Sequence, residues 1–147
     1  MFISTKGKYA IKLMLDLAIY NNGDPVRLKD IAKRQDISIK YLEQIVNILS
    51  KRGYLKSARG PQGGYRLAGN PADYTIGDIL RTTEGNMAPV ACLEDEINQC
   101  ERSYKCDTLW IWEDLYKLIN NYIDSITLAD IIDKKNNRRF NDDTQTN

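Results

Sequence analysis

Apolar residues in the first fifty positions recur at helical spacing in three separate segments. The first, "KGKYAIKLMLDLAIYNNG", places Tyr9, Leu13 and Leu17 on one face and ends at Asn-Asn-Gly. The second, "VRLKDIAKRQD", is short, and the third, "IKYLEQIVNILSKRG", has a regular stripe of leucine, isoleucine and valine. Ser38 stands where an N-cap of the third helix is expected, and Gly53 stands at its end. The pattern predicts three helices, with only a short turn between the second and the third.

Beyond Gly53 the pattern changes from helical to extended. The segment "YLKSARGPQGGYRLAG" has two short strand-like runs on either side of "RGPQGG", whose glycines suit a hairpin loop. Another helix, "TIGDILRTTEG", is expected next, with Thr75 and Asp78 in capping-box positions and Gly85 at its end. A helix, a turn, a second helix and a basic hairpin form the order of a winged helix-turn-helix. The predicted fold class is therefore mostly α, with a small β-hairpin wing.

The second half of the chain contains one strongly amphipathic segment, which begins near Thr108 and includes Trp110 and Trp112. Its apolar face is too large to remain in water, and a long terminal helix beyond a small domain commonly packs on a second copy of the chain. From Asp133 onward the chain is almost entirely polar, which is typical of a disordered tail. The predicted organisation is a winged-helix DNA-binding domain over residues 1–85, a cysteine-containing loop over 86–107, a dimerisation helix over 108–132 and a disordered tail over 133–147.

The charged residues divide the 147-residue chain into a basic and an acidic half. Residues 1–66 carry thirteen Lys and Arg against five Asp and Glu, whereas residues 67–147 carry eight against fifteen. The net charges of +8 and −7 indicate a polyanionic partner for the first half, with a solvated basic surface as the simpler alternative. Histidine is absent, which excludes Ser-His-Asp and Cys-His nucleophile pairs, so an enzyme is not expected.

The winged-helix arrangement predicts which residues would contact DNA. An α-helix fits the major groove, and the residues at its start meet the base edges. An arginine at the wing tip suits a narrow, A/T-rich minor groove, and an adjacent glycine permits close approach. A helical bundle with an unrelated hairpin is the alternative. The candidate DNA-binding residues are Ser38, Lys40, Tyr41, Glu43, Gln44, Arg59 and Gly60.

All three cysteines lie within one short segment, "CLEDEINQCERSYKC", with the spacing C-x7-C-x5-C. An odd number of neighbouring thiols in a reducing compartment is typical of metal or redox chemistry rather than of disulfides. Soft thiolates bind iron–sulfur clusters or zinc, and three of them leave a fourth position for a different ligand. Zinc would only stabilise the loop, and three inert thiols are the remaining alternative.

Three stretches of the chain resemble the Rrf-type family of bacterial winged-helix transcription regulators. The stretches are "STKGKYAIKLMLDLA", "ISIKYLEQIVNILSKRGYLKSARGPQGGYRLA" and "YTIGDIL". The most specific part is the helix "YLEQ" followed by the wing "RGPQGGYRL". The resemblance extends to about Asp133 and implies a homodimer on a pseudo-palindromic operator in double-stranded DNA. It also implies that the long helix from Thr108 crosses to the other subunit.

The cysteine spacing is similar to that of the IscR-like, iron–sulfur branch of the family, to which NsrR-like and CymR-like proteins are related. The resemblance implies that Cys92, Cys100 and Cys106 hold an iron–sulfur cluster of the [2Fe–2S] type, with [4Fe–4S] or zinc as alternatives. The branch uses a histidine before a Leu-Trp step as fourth ligand, and this chain has Asp107 at that place. A nearby glutamate or a thiol from solution are alternatives to Asp107.

The sequence as a whole favours a cytoplasmic repressor that senses iron–sulfur or redox status. The alternatives are a cluster-free regulator of cysteine or sulfur metabolism and a zinc-stapled interaction module, and the acidic half could dock a regulatory protein partner. No membrane association is expected, because no stretch approaches the ~20 apolar residues of a membrane span. The N-terminus mixes lysines and Asp16 into its apolar positions, unlike a signal peptide.

Overall fold

The computed structural model describes residues 3–145, which contain six α-helices and one two-stranded antiparallel hairpin. Short 3-10 turns lie in the connections at Pro71–Asp73, Ala91–Leu93 and Ser103–Lys105. The elements are α1 (Thr5–Ile19), α2 (Leu28–Gln35), α3 (Ile39–Lys51), β1 (Leu55–Ala58), β2 (Gly64–Leu67), α4 (Ile76–Glu84), α5 (Leu109–Asp124) and α6 (Leu128–Gln145). The predicted class, mostly α with a small wing, is confirmed. No helix in the described residues is long and apolar enough to cross a membrane.

The main core lies between α1, α2, α3 and α4 and is closed by the base of the wing and the first turn of α6. The stripe predicted for α3 is buried along its whole length. Burying one such aliphatic side chain stabilises the fold by about 1.5–3 kcal/mol. The largest fully buried apolar side chains in this core are Leu13, Met14, Leu17, Ile31, Leu42, Ile45, Leu49, Ile79 and Leu128.

The helices α3 and α4 begin at the caps that the sequence predicts. The Ser38 hydroxyl accepts a hydrogen bond from the Tyr41 N–H at 3.2 Å and starts α3. Thr75 and Asp78 form a reciprocal capping box at α4, with N–H to oxygen distances of 3.0 and 3.2 Å. Caps of this kind contribute about 1 kcal/mol each, so they define where the helices begin as well as stabilising them.

Within the described part of the chain, one charged side chain lies in the core, and it connects α1 to α2. Asp16 is only 1% exposed. Its carboxylate accepts hydrogen bonds from Arg34 Nε at 3.0 Å, from Arg34 Nη2 at 2.7 Å and from Gln35 Nε2 at 3.0 Å. The Arg34 guanidinium also lies 3.9 Å from the centre of the Tyr20 ring. A buried carboxylate needs such partners, so this network sets how the end of α2 packs on α1.

The wing is held against the segment that precedes α2. Its strands pair antiparallel, with Leu55 opposite Leu67. Val26 adds a single bridge: its N–H donates to the Tyr65 carbonyl and its carbonyl accepts from the Tyr65 N–H, both at 2.8 Å. A Cβ atom on Gly64 would overlap the Val26 carbonyl, so this close approach requires glycine.

The C-terminal segment corrects the prediction of a single dimerisation helix over residues 108–132. Helix α5 ends at Asp124, and α6 begins at Leu128 after a short turn. Asp130 Oδ2 accepts from the Thr127 N–H at 2.8 Å, and the Thr127 hydroxyl accepts from the Asp130 N–H at 3.2 Å. This capping pair starts a new helix inside an apolar run, where hydrophobic spacing alone does not reveal a boundary.

Residues 133–145, predicted to be disordered, instead continue α6. The segment has almost no apolar residues, but it also contains neither glycine nor proline. Arg138 with Asp142 and Arg139 with Asp143 place opposite charges at i, i+4 spacing, which favours the helical state. Local helix propensity therefore decides the structure of this segment, and composition alone misses it. Residues 146–147 of the predicted tail lie outside the described residues.

Candidate DNA interface and cysteine loop

The turn between α2 and α3 presents the start of α3 to solvent. Asp36 ends α2 in the left-handed conformation, with φ 55°. Ile37 is buried, and its N–H donates to the Ala32 carbonyl at 3.1 Å, which anchors the turn in the core. The exposed residues over the first turns of α3 are Ser38, Ile39, Lys40, Glu43, Gln44 and Asn47. Four of the five residues predicted to contact DNA from α3 are therefore accessible and close together along the helix.

Tyr41, the fifth of them, is half-buried. Its ring meets the ring of Tyr9 on α1 edge to face, with 5.6 Å between the ring centres and 81° between the planes. The Lys12 amine lies 5.6 Å from the centre of the Tyr9 ring. These two contacts connect the exposed Lys12 of α1 to Tyr41 of α3 through the Tyr9 ring, and sequence reasoning missed this lysine as a candidate. The available signal was the i, i+4 spacing of Lys8 and Lys12 on one face of α1.

The wing tip carries Arg59 and Gly60, and both are exposed. Gly60 has φ 98°, a conformation that favours glycine, and its carbonyl accepts from the Gly63 N–H at 2.9 Å. Arg27, just before α2, donates from Nη2 to the Pro61 carbonyl. The tip is therefore a closed turn tied to the helix-turn-helix, with the Arg59 side chain free to reach outward.

The cysteine loop, residues 86–107, joins α4 to α5 without regular structure apart from two 3-10 turns. All three thiols are free; Cys92 is half-buried, and Cys100 and Cys106 are exposed. Asp107, the predicted fourth ligand, is exposed beside Cys106. Within residues 3–145, no three His, Cys, Asp or Glu side chains are grouped to hold a metal ion. The three thiols are therefore near one another along the chain but are not gathered into a ligand set.

Cys106 lies just before the N-terminal end of α5, and its Sγ is 3.5 Å from Thr108 Oγ1. The hydrogen bond with the Thr108 side chain, supported by the backbone of Thr108 and Leu109, lowers the pKa of the Cys106 thiol below its ordinary value. The negative charge of Asp107 acts against this lowering. A lower pKa increases the fraction of thiolate, which is the form that binds metals.

Asn98 orders the middle of the loop. Its Oδ1 accepts a hydrogen bond from the Cys100 N–H at 2.9 Å. Its Nδ2 is buried and has no hydrogen-bond partner among the described residues. Unpaired buried donors are rare in folded proteins because they lose their hydration without compensation. The loop therefore holds an unused donor close to one of the three cysteines.

The match to known families covers most of the chain. Residues 3–134 match the Rrf2 family, which is described as iron-dependent transcriptional regulators. The chain belongs to the Rrf2 family. The predicted resemblance is thus confirmed, and the winged helix of this Rrf2 protein is the DNA-binding unit of a transcription regulator.

Similar proteins match this chain over most of its length. Protein rrf2 of Nitratidesulfovibrio vulgaris is 39% identical over 132 residues, which make up 90% of this chain and 87% of that protein. The structure of T. potens IscR is 41% identical with a TM-score of 0.74, and the match covers 92% of this chain and 88% of that one. The structure of B. subtilis CymR, named the global cysteine regulator, is 37% identical with a TM-score of 0.72, over 89% and 95% of the two chains.

Helix α5 of this Rrf2 protein is apolar on two adjacent faces. The inner face packs on α4 through Tyr116, Ile119 and Ile123. The outer face is uncovered in the single chain, since Leu118 is 67% and Tyr122 is 68% exposed. We name the outer face the α5 stripe; its residues are Trp110, Ile111, Leu115, Leu118 and Tyr122. A continuous apolar surface of this kind marks an interaction site, unlike scattered single residues.

The cysteine loop fits an iron–sulfur cluster in its donor chemistry, although the loop is not assembled around one. Three free thiols supply soft ligands, and Asn98 supplies a hydrogen-bond donor that is not otherwise used. The thiols are not grouped in space, so ligation would require the loop to close around the bound group. A long connection without regular structure is able to make such a movement.

Proposed function

We propose that this Rrf2 protein is a cytoplasmic homodimeric repressor that binds a pseudo-palindromic operator and responds to iron–sulfur or redox status. The observation that carries the proposal is the capped start of α3, held beside a wing that is tied to the same helix-turn-helix. Both parts are ordered within one chain, so little conformational entropy is lost when they meet DNA. Preorganisation of this kind suits sequence-specific binding.

The start of α3 supplies the direct contacts to base edges in this proposal. Gln44 suits adenine, Glu43 accepts from the cytosine amino group, and Lys40 takes guanine or a phosphate. Ser38 is exposed at the start of α3, where it also lies within reach of DNA. Tyr41 holds α3 against α1 through Tyr9 and reaches DNA only by its accessible edge.

Contacts outside α3 would add affinity and shape recognition. Arg59 enters the minor groove from the wing tip, and Gly60 lets the backbone approach the sugar-phosphate chain. Lys12, whose amine lies near the Tyr9 ring, and Lys8, one turn earlier on α1, are exposed and suit phosphate contacts. Phosphate contacts position the protein and make its binding dependent on salt.

The α5 stripe forms the dimer interface in this proposal. The stripe is apolar, exposed and located on a long helix, which is typical of a helix that pairs with a second copy of itself. A twofold dimer repeats the recognition helix and the wing, and this repetition matches a pseudo-palindromic operator. A selection of binding sites from random duplex DNA should therefore return an inverted repeat. Recovery of a single, unrepeated site would contradict the dimeric arrangement.

Cys92, Cys100 and Cys106 hold an iron–sulfur cluster of the [2Fe–2S] type in this proposal, with Asp107 as fourth ligand. When bound, such a cluster supplies a redox-active group that responds to oxidants. The chain's own contribution is to connect that group to the dimer. Cys106 is two residues before Thr108, the N-cap of α5, so restraining Cys106 restrains the start of the helix that carries the α5 stripe. The spacing of the two recognition helices would respond.

The test is the metal content of protein isolated without oxygen. We expect iron and acid-labile sulfide in equal amounts, together with visible absorbance, and loss of all three in Cys100→Ala. The control is Ser103→Ala, which changes a neighbouring side chain that carries no thiol. Zinc alone, or a wild-type protein that takes up neither iron nor sulfide during anaerobic reconstitution, would contradict the cluster and leave a structural zinc site or free thiols.

A further inference from the structure

Asn98 lies between Cys92 and Cys100, where its side-chain amide has a defined orientation. Its Oδ1 accepts from the Cys100 N–H at 2.9 Å, in the manner of an Asx turn. Because the oxygen is committed to this bond, the position of Nδ2 in the loop is set as well. One end of the amide therefore orients the backbone of a cysteine, and the other end points away from that bond.

The Nδ2 group of Asn98 is buried and has no partner among residues 3–145. Two carbonyls of the same loop accept from other amides. The Ile97 carbonyl accepts from Gln99 Nε2 at 3.0 Å, and the Glu94 carbonyl accepts from Asn86 Nδ2 at 3.4 Å. A buried amide donor carries a free-energy penalty until an acceptor reaches it. The free cysteines of the loop add sulfur atoms to its acceptors, and a bound cluster would gather these sulfur atoms near the loop backbone.

We propose that Asn98 is a positioning residue of the cysteine site: Oδ1 orients Cys100 through its backbone N–H, and Nδ2 donates to a sulfur of the bound iron–sulfur cluster. This inference rests on the proposed function. Hydrogen bonds to the sulfurs of a cluster stabilise its more negative, reduced state and so raise its reduction potential. Partners beyond the ligands also affect how firmly a metal is held. Asn98 thus raises the reduction potential of the cluster and helps to retain its iron, without being a ligand.

The decisive variant is Asn98→Asp, which keeps an oxygen for the Cys100 N–H and removes the Nδ2 donor. The added negative charge would by itself lower the reduction potential, so a charge-matched control is needed. Gln99→Glu adds the same charge at the adjacent, exposed position, whose amide already has its own partner in Ile97. Asn98→Ala, which removes both ends of the amide, is the second variant.

The measurements are the reduction potential of the anaerobically reconstituted protein and the rate of iron release to a chelator. Asn98→Asp should have a lower reduction potential than Gln99→Glu and should lose iron about ten-fold faster, because loss of a partner beyond the ligands typically costs ten-fold or more in metal affinity. Asn98→Ala should lose iron at least as fast as Asn98→Asp. Helix content by circular dichroism should match wild type in all three variants, which separates this effect from misfolding.

Equal potentials and equal rates of iron release in Asn98→Asp and Gln99→Glu would overturn the role of Asn98 while leaving the cluster itself in place. Slow release from Asn98→Ala would overturn it as well, since that variant has no amide. Wild-type protein that takes up neither iron nor sulfide would overturn the proposed function and this inference together. The state of the wild-type protein therefore shows which of the two has failed.

Discussion

The wing and the cysteine loop are both exposed connections, but the contacts within one chain fix the wing more completely than the loop. The wing tip closes through Gly63 and Gly60 and is tied to the helix-turn-helix by Val26 and Arg27. The cysteine loop has free thiols and a buried donor without an acceptor. The α5 stripe that follows the loop is likewise uncovered.

In the proposed function, this difference separates recognition from regulation. In the winged-helix half, residues 3–85, the polar groups that position the DNA contacts find their partners within one chain. In the C-terminal half, residues 86–145, the proposed function gives each open feature a partner. A bound cluster would accept from the unpaired Asn98 donor, and a second subunit would cover the α5 stripe. A regulator built in this way keeps its DNA-contacting surface constant and places its response in the part that binding reorganises. Four predictions test the two sides of the comparison.

The largest effect is expected at the buried carboxylate on which the winged-helix half depends. Arg34→Met leaves Asp16 buried with Gln35 as its remaining partner, and we expect a loss of about 3–5 kcal/mol in the free energy of unfolding. Urea denaturation measures this loss. Lys33→Met, at an exposed neighbouring position on α2, is the matched control and should change stability little.

The double variant Asp16→Leu with Arg34→Met sharpens this first prediction. It removes the buried charge together with its partner, so it should recover much of the lost stability. If Arg34→Met alone were as stable as wild type, the stability of the winged-helix half would not depend on this network.

The second effect concerns the α5 stripe. Leu118→Asp places a charge in the proposed dimer interface and should weaken dimerisation by about 3 kcal/mol, roughly a hundred-fold in the dissociation constant. Analytical ultracentrifugation measures the change. Lys117→Asp, at the adjacent exposed position on α5, should leave the dimer intact. A stable Leu118→Asp dimer would place the interface elsewhere.

The third effect concerns base recognition by α3. Gln44→Ala should cost about 1–3 kcal/mol on the best operator and relax the preference at one base position in each half-site. Competition binding with a panel of single-base operator changes measures both. Ser50→Ala, exposed near the other end of α3, serves as the control. An unchanged preference at every position would argue against a major-groove role for Gln44.

The smallest effect is expected at the wing tip. Arg59→Ala should reduce the salt dependence of binding by about one phosphate contact, with the greatest loss of affinity on operators with A/T-rich flanks. Gln62→Ala, exposed at the same tip, is the control. The measurement is operator affinity against salt concentration on two sets of flanks. Equal losses on both sets would rule out insertion of Arg59 into the minor groove.

Features that depend on local sequence could be predicted, whereas features that depend on how distant segments meet could not. Ser38, Thr75 and Gly85 cap helices as expected, because capping involves only neighbouring residues. The α5 stripe follows from helical spacing, and the structure leaves that stripe exposed. By contrast, Asp16 looks like a surface charge in the sequence, and only its contact with Arg34 explains its burial.

The errors at the C-terminal end have local causes of a different kind. Thr127 and Asp130 form a capping pair that interrupts an apolar pattern, so the helix boundary is not visible in the hydrophobic spacing. The polar residues after Asp133 suggest disorder by composition, although their helix propensity is sufficient to continue α6. The unused donor of Asn98 has no counterpart in any sequence pattern, since it depends on burial in the folded loop.

The central claim is that ligation at the cysteine loop changes how the winged helices bind DNA. The most direct measurement is the operator affinity of one anaerobic preparation before and after its cluster is removed, at constant salt, with Cys100→Ala as the reference that cannot change. The account predicts a change of roughly 5- to 150-fold in wild type, as for allosteric coupling of 1–3 kcal/mol, and none in Cys100→Ala. Equal affinities of the two wild-type forms would contradict it.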